Sequence, residues 1–585
     1  MTLLSFVVAL LLLQCAAAYP ELFNNLAYRS PSLRFPTDSV LAHDVGALAR
    51  RHTKRDGSTA RYEGGLYFPY GIASGDPLAD SAILWTHPVV AGGNTSLPVC
   101  LQYQTAKDDK ITQVVDTGLA CTTSDVDYSL KVETKNLKAK TRYYYRFSTV
   151  GKNSTSSPVG SFKTMPRPDD ATVDKLTLAV FSCSNLPYGF FNAYRKASAR
   201  TNEVDYFTHV GDWIYEGKAV KGALEERQFE PRIEIAHLDE YRQRHAAYRG
   251  KDENLRAMLQ NYAALTVWDD HEVADNTYKD GSADSNNTKA GYVNGIPFSE
   301  RKKNAVKAYY EWMPIRQVDT TDKLRIYRQF QYGKLADINM ADTRQEDRDI
   351  TDIYYNTAYV KSISNDSSRH MMSNKQRDWL SQKITSSSAT WKVLAQQVIF
   401  NNPLTPGSNG TFDENYDAWS GYKATQRHFM QTISKVNNTI ILSGDSHAAW
   451  AFDTVPVETM SAYDPKTGAG SIAVEFAGTA VSSTSSYGKN LTTSQYNARA
   501  QQLVRKNANL QFAEGQKRGY FVLTLQPHEA RADYWGVVDN NDRNSDEVLV
   551  ATMTVEKDQN RLKRPLNGGN NSTGGAIQGL EGYTG

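Results

Sequence analysis

The pattern of apolar residues changes once along this 585-residue chain, close to residue 166. From Leu66 to about Met165, short alternating apolar runs are separated by turn clusters such as 74–77, which is typical of a β-sandwich. The segment 137–147 has a tyrosine near the start of its strand and resembles the tyrosine corner of fibronectin-type sandwiches. Residues 166–170 contain two prolines flanked by charge, and they predict a linker.

Beyond the linker, strand-like and helix-like segments alternate, which indicates an α/β domain with a central sheet covered by helices. Leu176–Phe181, a helix over 191–200 and a strand over 204–210 form the first βαβ unit. Later strands are predicted at residues 263–268, 324–339, 391–400, 439–443, 471–476, 520–525 and 548–555, and helices at residues 300–312, 374–383 and 424–436. We expect a sandwich domain at 66–165, an α/β domain at 175–556 and a polar, disordered end at 557–585.

The charge balance limits the partners that this chain can attract. Lys and Arg total 66 against 64 Asp and Glu, so that the formal net charge is +2. Such a balance produces no strong field towards nucleic acid or an anionic membrane. We therefore expect no nucleic-acid partner, and the 40% of hydrophobic residues indicates a globular protein.

The N-terminus has the features of a secretory signal. Residues 3–13 form an apolar run that is too short to span a bilayer, and small residues follow it up to Ala18. We expect residues 1–18 to be removed and the protein to be secreted, either extracellular or associated with the cell wall. Asn-x-Ser/Thr acceptors for glycosylation agree with secretion, and they occur at Asn94, Asn153, Asn286, Asn365, Asn409, Asn437, Asn490, Asn570 and Asn571.

The segment 19–65 contains two dibasic pairs, Arg50-Arg51 and Lys54-Arg55. They predict proteolytic removal of a propeptide, or they belong to an ordinary solvated charge run. The sequence leaves both interpretations open.

The four cysteines have different predicted fates. Cys15 leaves with the signal peptide, so that three cysteines remain in an oxidising compartment. Cys100 and Cys121 lie close together in the same β-rich region, and we expect them to form a disulfide. Cys183 is then the unpaired thiol, which is either a small buried apolar residue or a ligand.

Five predicted strands run directly into residues with reactive or charged side chains. Sites in open α/β sheets form at the carboxyl ends of strands, so we expect these side chains to meet at one edge. The five segments are 182–185, 211–216, 269–272, 342–345 and 444–447. Each buried, unpaired acid would cost several kcal/mol, and metal cations would offset that cost.

The side chains at these strand ends suit two kinds of cation. Asp212 can bridge two cations, and Tyr215 can present a phenolate on the same side. Together with Cys183, these anionic donors suit ferric iron, whereas the oxygens of Asp270 and Asn276 suit a hard divalent ion. The alternatives are a helix cap for Asp212, core packing for Tyr215 and a surface turn for Asp270 and Asn276.

Six motifs, taken in order, resemble those of the PhoD-type alkaline phosphatases within the metallophosphatases. The resemblance covers about residues 66–556 and includes the N-terminal sandwich. Each motif alone is modest, but six in the same order are specific. They are Phe181-Ser-Cys-Ser184, Gly211-Asp-Trp-Ile-Tyr-Glu216, Trp268-Asp-Asp-His-Glu272, Ala308-Tyr-Tyr-Glu-Trp-Met-Pro314, Asp342-Thr-Arg-Gln345 and Gly444-Asp-Ser-His447.

The resemblance implies a secreted phosphoesterase that contains iron (Fe³⁺) and calcium (Ca²⁺). Asp212 would bridge, and the implied ligands are Cys183, Asp212, Tyr215 and His447 for iron and Asp270, Asn276 and Asp445 for calcium. Many metallophosphatases have Asn where this chain has Asp270, and His where it has Asp445. Both differences favour cations that prefer oxygen ligands.

The implied reaction is attack of water on phosphorus, in line with the leaving alcohol, after cations have polarised the phosphoryl oxygens. Arg344 would clamp the phosphate with its planar guanidinium group, unless it forms a structural salt bridge only. His271 would protonate the leaving oxygen or hold it by a hydrogen bond. The catalytic residues implied by the resemblance are thus Asp212, His271 and Arg344.

The favoured function is hydrolysis of phosphomonoesters, with diesters as possible further substrates, at alkaline pH. A first alternative is a phosphodiesterase that acts on phospholipid head groups or wall polymers. A second alternative is an inactive secreted binding protein. We disfavour the second because every motif position retains a competent ligand atom.

Overall fold

The computed structural model describes residues 20–29, 61–93, 95–150, 155–319, 322, 324–407 and 411–580. The predicted signal peptide, both dibasic pairs and the acceptors Asn94, Asn153 and Asn409 lie outside these residues. No helix among the described residues is long and apolar enough to cross a membrane.

The described strands range from two to ten residues in length. In chain order they are β1 Leu66–Tyr67, β2 Ile72–Gly75, β3 Ala82–Thr86, β4 Val89–Val90, β5 Val99–Ala106, β6 Val114–Thr122, β7 Leu130–Thr134, β8 Arg142–Thr149, β9 Gly160–Lys163, β10 Leu176–Phe181, β11 Tyr206–His209, β12 Ala263–Thr266, β13 Arg328–Tyr332, β14 Ala336–Met340, β15 Trp391–Ala395, β16 Thr405–Pro406, β17 Phe412–Asp413, β18 Thr439–Ser443, β19 Ala449–Thr454, β20 Ala473–Ala477, β21 Leu510–Glu514, β22 Gly519–Leu525, β23 Glu529–Val537, β24 Glu547–Glu556 and β25 Ala576–Ile577.

Several of the described helices begin at a capping side chain. Asp252 accepts a hydrogen bond from Leu255 N at 2.8 Å, and Thr492 forms a capping box with Gln495. The helices are α1 Pro20–Phe23, α2 Asn192–Ser198, α3 Leu238–Lys251, α4 Glu253–Asn261, α5 Phe298–Trp312, α6 Thr357–Ile363, α7 Asn374–Ser386, α8 Lys423–Ile433 and α9 Thr493–Lys506.

The chain divides into two compact units, and the first is rich in antiparallel sheet. It contains the described residues of Met1–Met165, His237–Ala264 and Lys303–Arg325. Strands β6, β5, β8 and β9 form one antiparallel sheet in that order, while β2, β3 and β7 form another antiparallel set. The sheets of this unit agree with the predicted β-sandwich. The unit also contains helices α3 and α4, because residues 237–264 and 303–325, which we assigned to the α/β domain, belong to it.

The predicted disulfide between Cys100 and Cys121 is present in the first unit. The two cysteines face each other on the paired strands β5 and β6. Residues 20–29 also belong to this unit, because Leu22 and Asn25 are buried and Asn25 Nδ2 donates a hydrogen bond to Ser129 O at 2.9 Å. Part of the expected propeptide or linker is therefore packed on the β-rich unit.

The second unit is the predicted α/β domain and contains two large sheets, besides the short antiparallel pair of β16 and β17. Its described residues come from Pro166–Ala236, Leu265–Lys302 and Ile326–Gly585. In one sheet the order is β24, β23, β22, β10 and β11, with β10 and β11 parallel. In the other sheet the order is β13, β14, β15, β18, β20, β19, β21 and β25, and β14, β15, β18 and β20 run parallel.

Helices cover the second sheet through an apolar cluster. Leu380 of α7 and Phe429 of α8 are fully buried in the same cluster as Leu394 of β15 and Ile441 of β18. Burial of side chains of this size contributes roughly 1.5–3 kcal/mol each. This packing fixes β15 and β18, and with them the loop that begins at Gly444.

Two sequence predictions need correction. The single strand expected at 324–339 is the hairpin of β13 and β14, because Gly333 adopts a left-handed backbone with φ of 58° and reverses the chain. The end of the chain is ordered through residue 580: β25 pairs with β21, and Ile577 is buried. The expectation of disorder from residue 557 is therefore wrong for residues 557–580.

Candidate active site

The loops that follow strands of both sheets of the α/β unit meet at one place. Cys183 follows β10, Asp212 follows β11, and Asp445 and His447 follow β18. Three overlapping groups of side chains have ligand atoms within 4.8 Å of one another. The groups are Cys183 with Asp212 and His447, Asp212 with Asp270 and His271, and Asp269 with Asp270 and Asp445.

Two glycines allow these loops to approach so closely. Gly211 has φ of 114°, and a Cβ atom there would lie 2.4 Å from Cβ of Asp269. A Cβ atom at Gly444 would lie 2.7 Å from Cβ of Ser182. Any larger residue at either position would push apart two loops that carry candidate ligands.

Around the first group, the side chain of Tyr215 links two candidate ligands. Tyr215 Oη donates a hydrogen bond to Asp212 Oδ2 at 2.8 Å and lies 3.2 Å from His447 Nε2. Ser483 Oγ donates a hydrogen bond to Tyr215 Oη at 2.7 Å. The four residues expected around iron therefore lie next to one another in space: Cys183, Asp212, Tyr215 and His447.

The residues expected to bind calcium also lie together. Asp270 belongs to two of the three groups, and Asp445 shares one of them. Asn276 N donates a hydrogen bond to Asp270 Oδ2 at 2.7 Å, while Asn276 Nδ2 donates to Asp352 O at 2.6 Å. Asp269, which the sequence analysis did not select as a ligand, joins Asp270 and Asp445 in this group.

Burial disfavours the charged forms of most of these groups. It raises the pKa of the Cys183 thiol and of the Tyr215 hydroxyl well above their ordinary values, and the neighbouring Asp212 adds to both shifts. It likewise raises the pKa of Asp212 well above the usual range, raises that of Asp445 to about 6 and lowers the pKa of His447 to about 3. A bound cation would reverse these preferences for the anionic ligands.

One acid differs from its neighbours. Burial would raise the pKa of Asp270, but Arg344 and His271 outweigh it, so that the pKa lies below its usual value. Among the acids in the candidate ligand groups, Asp270 is therefore the one whose charged form the protein itself favours. It can attract a cation without first losing a proton.

Unpartnered oxygen atoms test whether this set of residues fits metal ions. Asp212 Oδ1, Asp269 Oδ2 and Asp270 Oδ1 are buried and accept no hydrogen bond. Buried polar atoms normally have a partner, and leaving one without costs about 1–3 kcal/mol. Cations would give these oxygens their missing partners, so the residues fit a site that holds more than one metal ion.

Glu272 fixes two of the loops that carry candidate ligands. Its carboxylate accepts hydrogen bonds from Asp269 N at 2.7 Å, from Asp212 N at 3.2 Å and from Trp213 N. Glu272 is buried, and that burial raises its pKa to about 7. One side chain therefore sets the spacing between Asp212 and Asp269.

His271 is held on one side by a buried acid. Its Nδ1 atom lies 2.7 Å from Glu216 Oε2, and Nε2 lies 3.9 Å from Asp275 Oδ1. Burial would lower the pKa of His271, but Glu216, with Asp270 and Asp212, raises it well above the ordinary value. The side chain is 21% exposed, so it can reach a bound substrate.

The sequence predicted that the guanidinium group of Arg344 binds phosphate, but in the structure this group is not open to a phosphate. The side chain is fully buried, and its three nitrogens are engaged by acids: Asp269 at Nε, Asp417 at Nη1 at 2.5 Å and Asp445 at Nη2 at 2.6 Å. Because buried cations attract the nearest acids strongly, the guanidinium organises candidate ligands. The salt-bridge alternative describes Arg344 better than the phosphate clamp does.

The backbone at five candidate ligands is left-handed, which is uncommon for residues other than glycine. The φ values are 62° at Cys183, 58° at Asp212, 51° at Asn276, 59° at Asp445 and 51° at His447. Such conformations cost of order 1–3 kcal/mol each and concentrate at functional sites. Tight turns at the strand ends therefore set the direction of these five candidate ligand side chains.

Four residues at this site were not predicted from the sequence: Glu216, Asp269, Glu272 and Asp417. The first three lie inside the quoted motifs, so their position next to predicted ligands was a usable signal. Asp417 has no such signal, because its partners Arg344 and Arg348 are about 70 residues away in sequence.

Comparisons with known proteins agree with the motifs. The family "PhoD-like phosphatase" matches residues 178–534, and the family "PhoD-like phosphatase, N-terminal domain" matches residues 53–166. "Alkaline phosphatase D" of Bacillus subtilis (strain 168) is 32% identical over 519 residues, which cover 85% of this chain and 82% of that protein.

A solved structure described as "Structure of PhoD" superimposes with a TM-score of 0.73 at 30% identity. The match covers 89% of this chain and 95% of the solved one. It confirms the predicted fold class, an α/β metallophosphatase preceded by an all-β sandwich. The chain therefore belongs to the PhoD-like phosphatase family, and the predicted enzyme class, a phosphoric ester hydrolase, is confirmed.

Proposed function

We propose that this protein is a secreted, metal-dependent phosphatase that hydrolyses phosphomonoesters at alkaline pH and releases inorganic phosphate. The observation that carries the proposal is the buried set of acids in which Asp212 and Asp270 each belong to two groups of candidate ligands. Adjacent cation sites that share acids suit a phosphoryl group, which carries negative charge on several oxygens. The similarity to alkaline phosphatase D supports the choice of a phosphatase and of alkaline pH.

We assign the metals by the chemistry of their donors. Thiolate, phenolate, carboxylate and imidazole suit ferric iron, and hard oxygen donors suit calcium. Iron is assigned to Cys183, Asp212, Tyr215 and His447, and calcium to Asp270, Asn276 and Asp445, with Asp269 added by its place in the third group. When bound, these cations polarise the phosphoryl oxygens and activate the attacking water.

The protein's own residues hold this arrangement in place. Glu272 fixes the loops that carry Asp212 and Asp269. Arg344 holds Asp269 and Asp445 at a fixed separation. Preorganised groups of this kind lower the cost of reorganisation when charge develops on the phosphoryl oxygens.

His271 is the group that we assign to the leaving oxygen. Glu216 occupies Nδ1, so Nε2 remains to donate a hydrogen bond or a proton to the departing alcohol. The partial exposure of the ring supports contact with substrate. Arg344 has no such exposure and is assigned a positioning role instead.

Secretion is supported by three independent features. The signal-like N-terminus and the disulfide both fit an oxidising compartment. The acceptor asparagines Asn365, Asn437, Asn490, Asn570 and Asn571 are exposed, as glycosylation requires.

The test combines metal analysis with kinetics on the purified full chain. Elemental analysis should find iron and calcium. Hydrolysis of an aryl phosphomonoester at alkaline pH should exceed that of the matched bis-aryl diester, and a calcium chelator should abolish it. Preference for the diester would replace the monoester assignment. No turnover of either ester by the metal-loaded protein would overturn the proposed function.

A further inference from the structure

A cavity of about 280 Å³ borders the candidate metal site at Asp445 and His447. Both residues are half-buried, whereas Cys183 and Asp212 are buried. The side chain of Asp445 is 19% exposed. The site therefore opens towards this cavity, and a group attached to a bound phosphoryl can enter it.

The wall of this cavity is mainly apolar. Ile399, Ala418, Trp450, Tyr487 and Leu503 line it, and each is at most 6% exposed. Among the described lining residues, the charged ones are Asp445 and the exposed Arg499. We call this space the apolar cavity, since apolar atoms make up most of its exposed wall, although uncharged Asn, Ser and Thr side chains also line it.

A second cavity of about 470 Å³ has the opposite character. It reaches the site at Ser483, whose hydroxyl donates a hydrogen bond to Tyr215 Oη. Three lysines and an arginine line it, and we call it the basic cavity: Lys221, Lys489, Lys517 and Arg518. An anionic substituent would be attracted to the basic cavity and not to the apolar cavity.

We propose that the apolar cavity binds the alkyl or aromatic substituent of the phosphate ester, so that the enzyme prefers esters of apolar alcohols. This inference rests on the proposed function, because it places the phosphoryl group at the metal site. Apolar area removed from water drives such binding, and each fully buried methylene group raises an equilibrium constant by about fourfold. Selectivity should therefore increase with chain length until the cavity is filled.

The experiment uses n-alkyl phosphates from methyl to hexyl with the metal-loaded full chain. Beyond the shortest members, these alcohols have similar leaving-group pKa values, so kcat/KM reports binding of the chain. The same chains are tested as para-nitrophenyl alkyl diesters. We expect kcat/KM to rise by up to about fourfold for each methylene group, in whichever series is hydrolysed.

Thr405→Trp tests whether the named cavity is responsible. Thr405 lines the apolar cavity, is half-buried and lies on the two-residue strand β16. An indole ring at this position should therefore narrow the cavity without opening the core. The advantage of the hexyl over the methyl ester should fall about tenfold or more, with methyl phosphate hydrolysed at an unchanged rate. Leu404→Trp is the matched control, because Leu404 is half-buried next to Thr405 but does not line the cavity.

A second variant tests the opposite wall. Leu503→Gln keeps the size and the helical preference of the residue in α9 but makes the cavity wall polar, and it should also reduce the hexyl advantage. A flat dependence on chain length in the wild type would overturn the proposal, as would Thr405→Trp behaving like Leu404→Trp. A preference for esters that carry an added carboxylate or phosphate would overturn it too, in favour of the basic cavity. In each of these cases methyl phosphate is still hydrolysed, whereas loss of all hydrolysis would count against the proposed function itself.

Discussion

Two sets of buried carboxylates in the α/β unit are held in opposite ways. Glu475 on β20 accepts hydrogen bonds from Phe400 N at 2.7 Å, Asn401 N at 2.9 Å, Asn401 Nδ2 at 2.7 Å and Ser443 Oγ at 2.5 Å. The acids at the candidate metal site instead keep buried oxygens that accept no hydrogen bond. All of these acids lie in the same domain, and Asp212, Asp269 and Asp270 are as hidden from water as Glu475.

The difference separates a structural acid from a functional one. Glu475 is satisfied by the protein, and its role is to fix the chain after β15. The acids near Asp212 are left for a partner that the chain does not supply. A buried carboxylate oxygen without a hydrogen bond is costly unless a ligand supplies its partner, and several such oxygens close together mark a candidate functional site.

The largest expected effect is at Asp212, one of the two acids that belong to two groups of candidate ligands. Asp212→Asn removes one anionic oxygen while preserving shape, so turnover should fall on the order of a thousandfold or more. Elemental analysis should show that iron content falls with it, while circular dichroism stays unchanged. A variant that keeps full activity and metal content would contradict the bridging assignment.

The next effect concerns the acid that orients a catalytic group. Glu216→Gln retains a side-chain oxygen but loses the charge that faces His271 Nδ1, and kcat should fall about 10–100-fold for alkyl phosphates. Aryl phosphates need less help with the leaving oxygen, so their loss should be smaller. Equal losses for both esters would mean that His271 does not act on the leaving group.

The satisfied acid should respond differently. Glu475→Gln replaces an acceptor oxygen by a donor that faces backbone N–H groups, and the free energy of unfolding should fall by about 1–3 kcal/mol. Metal content and kcat should stay as in the wild type, since Glu475 is not in any candidate ligand group. Chemical unfolding together with elemental analysis checks both statements, and a loss of metal would break the contrast with Asp212.

Lys131 in the β-rich unit is a buried basic residue, and it allows the same comparison for a group of the opposite charge. Lys131 Nζ donates a hydrogen bond to Tyr310 O at 2.5 Å, and burial lowers its pKa from 10.5 to about 7. Between these values the unfolded chain binds more protons than the folded one, so stability rises with pH by up to about 1.4 kcal/mol per pH unit.

Lys131→Met should remove this pH dependence. Urea unfolding at about pH 7.5 and about pH 9.5 compares the two slopes. The wild type should gain stability between these two pH values, and the variant should gain markedly less. Identical slopes would show that Lys131 is charged in the folded protein throughout.

The sequence predicted those parts of the fold whose pattern is local. β10 and β18 were placed at their observed bounds because every residue in them is apolar or small and buried. Helix α3 was missed because it buries Arg244 and Arg249, so no apolar stripe marks its inner face. The turn at Gly333 was missed because the strands on either side read as one run.

The site was predictable by residue type but not by contact. Cys183, Asp212 and Asp445 were selected because each follows a strand. Arg344 forms ion pairs with Asp269 and Asp417, which lie more than 70 residues away, one on either side of it in the sequence. Distant partners of this kind leave no local pattern in the sequence.

The left-handed backbone at the candidate ligands sets the stability of these turns against the placement of the ligands. At each of Cys183, Asp212, Asn276, Asp445 and His447, a glycine would relieve backbone strain and delete a donor in the same step. Relief of backbone strain and catalysis therefore make opposite demands on these five positions. Each turn gives up some stability in order to place a ligand, which is a stability–activity trade-off. Residues other than glycine occupy all five positions, so the turns at this sheet edge suit the placement of ligands better than ease of folding.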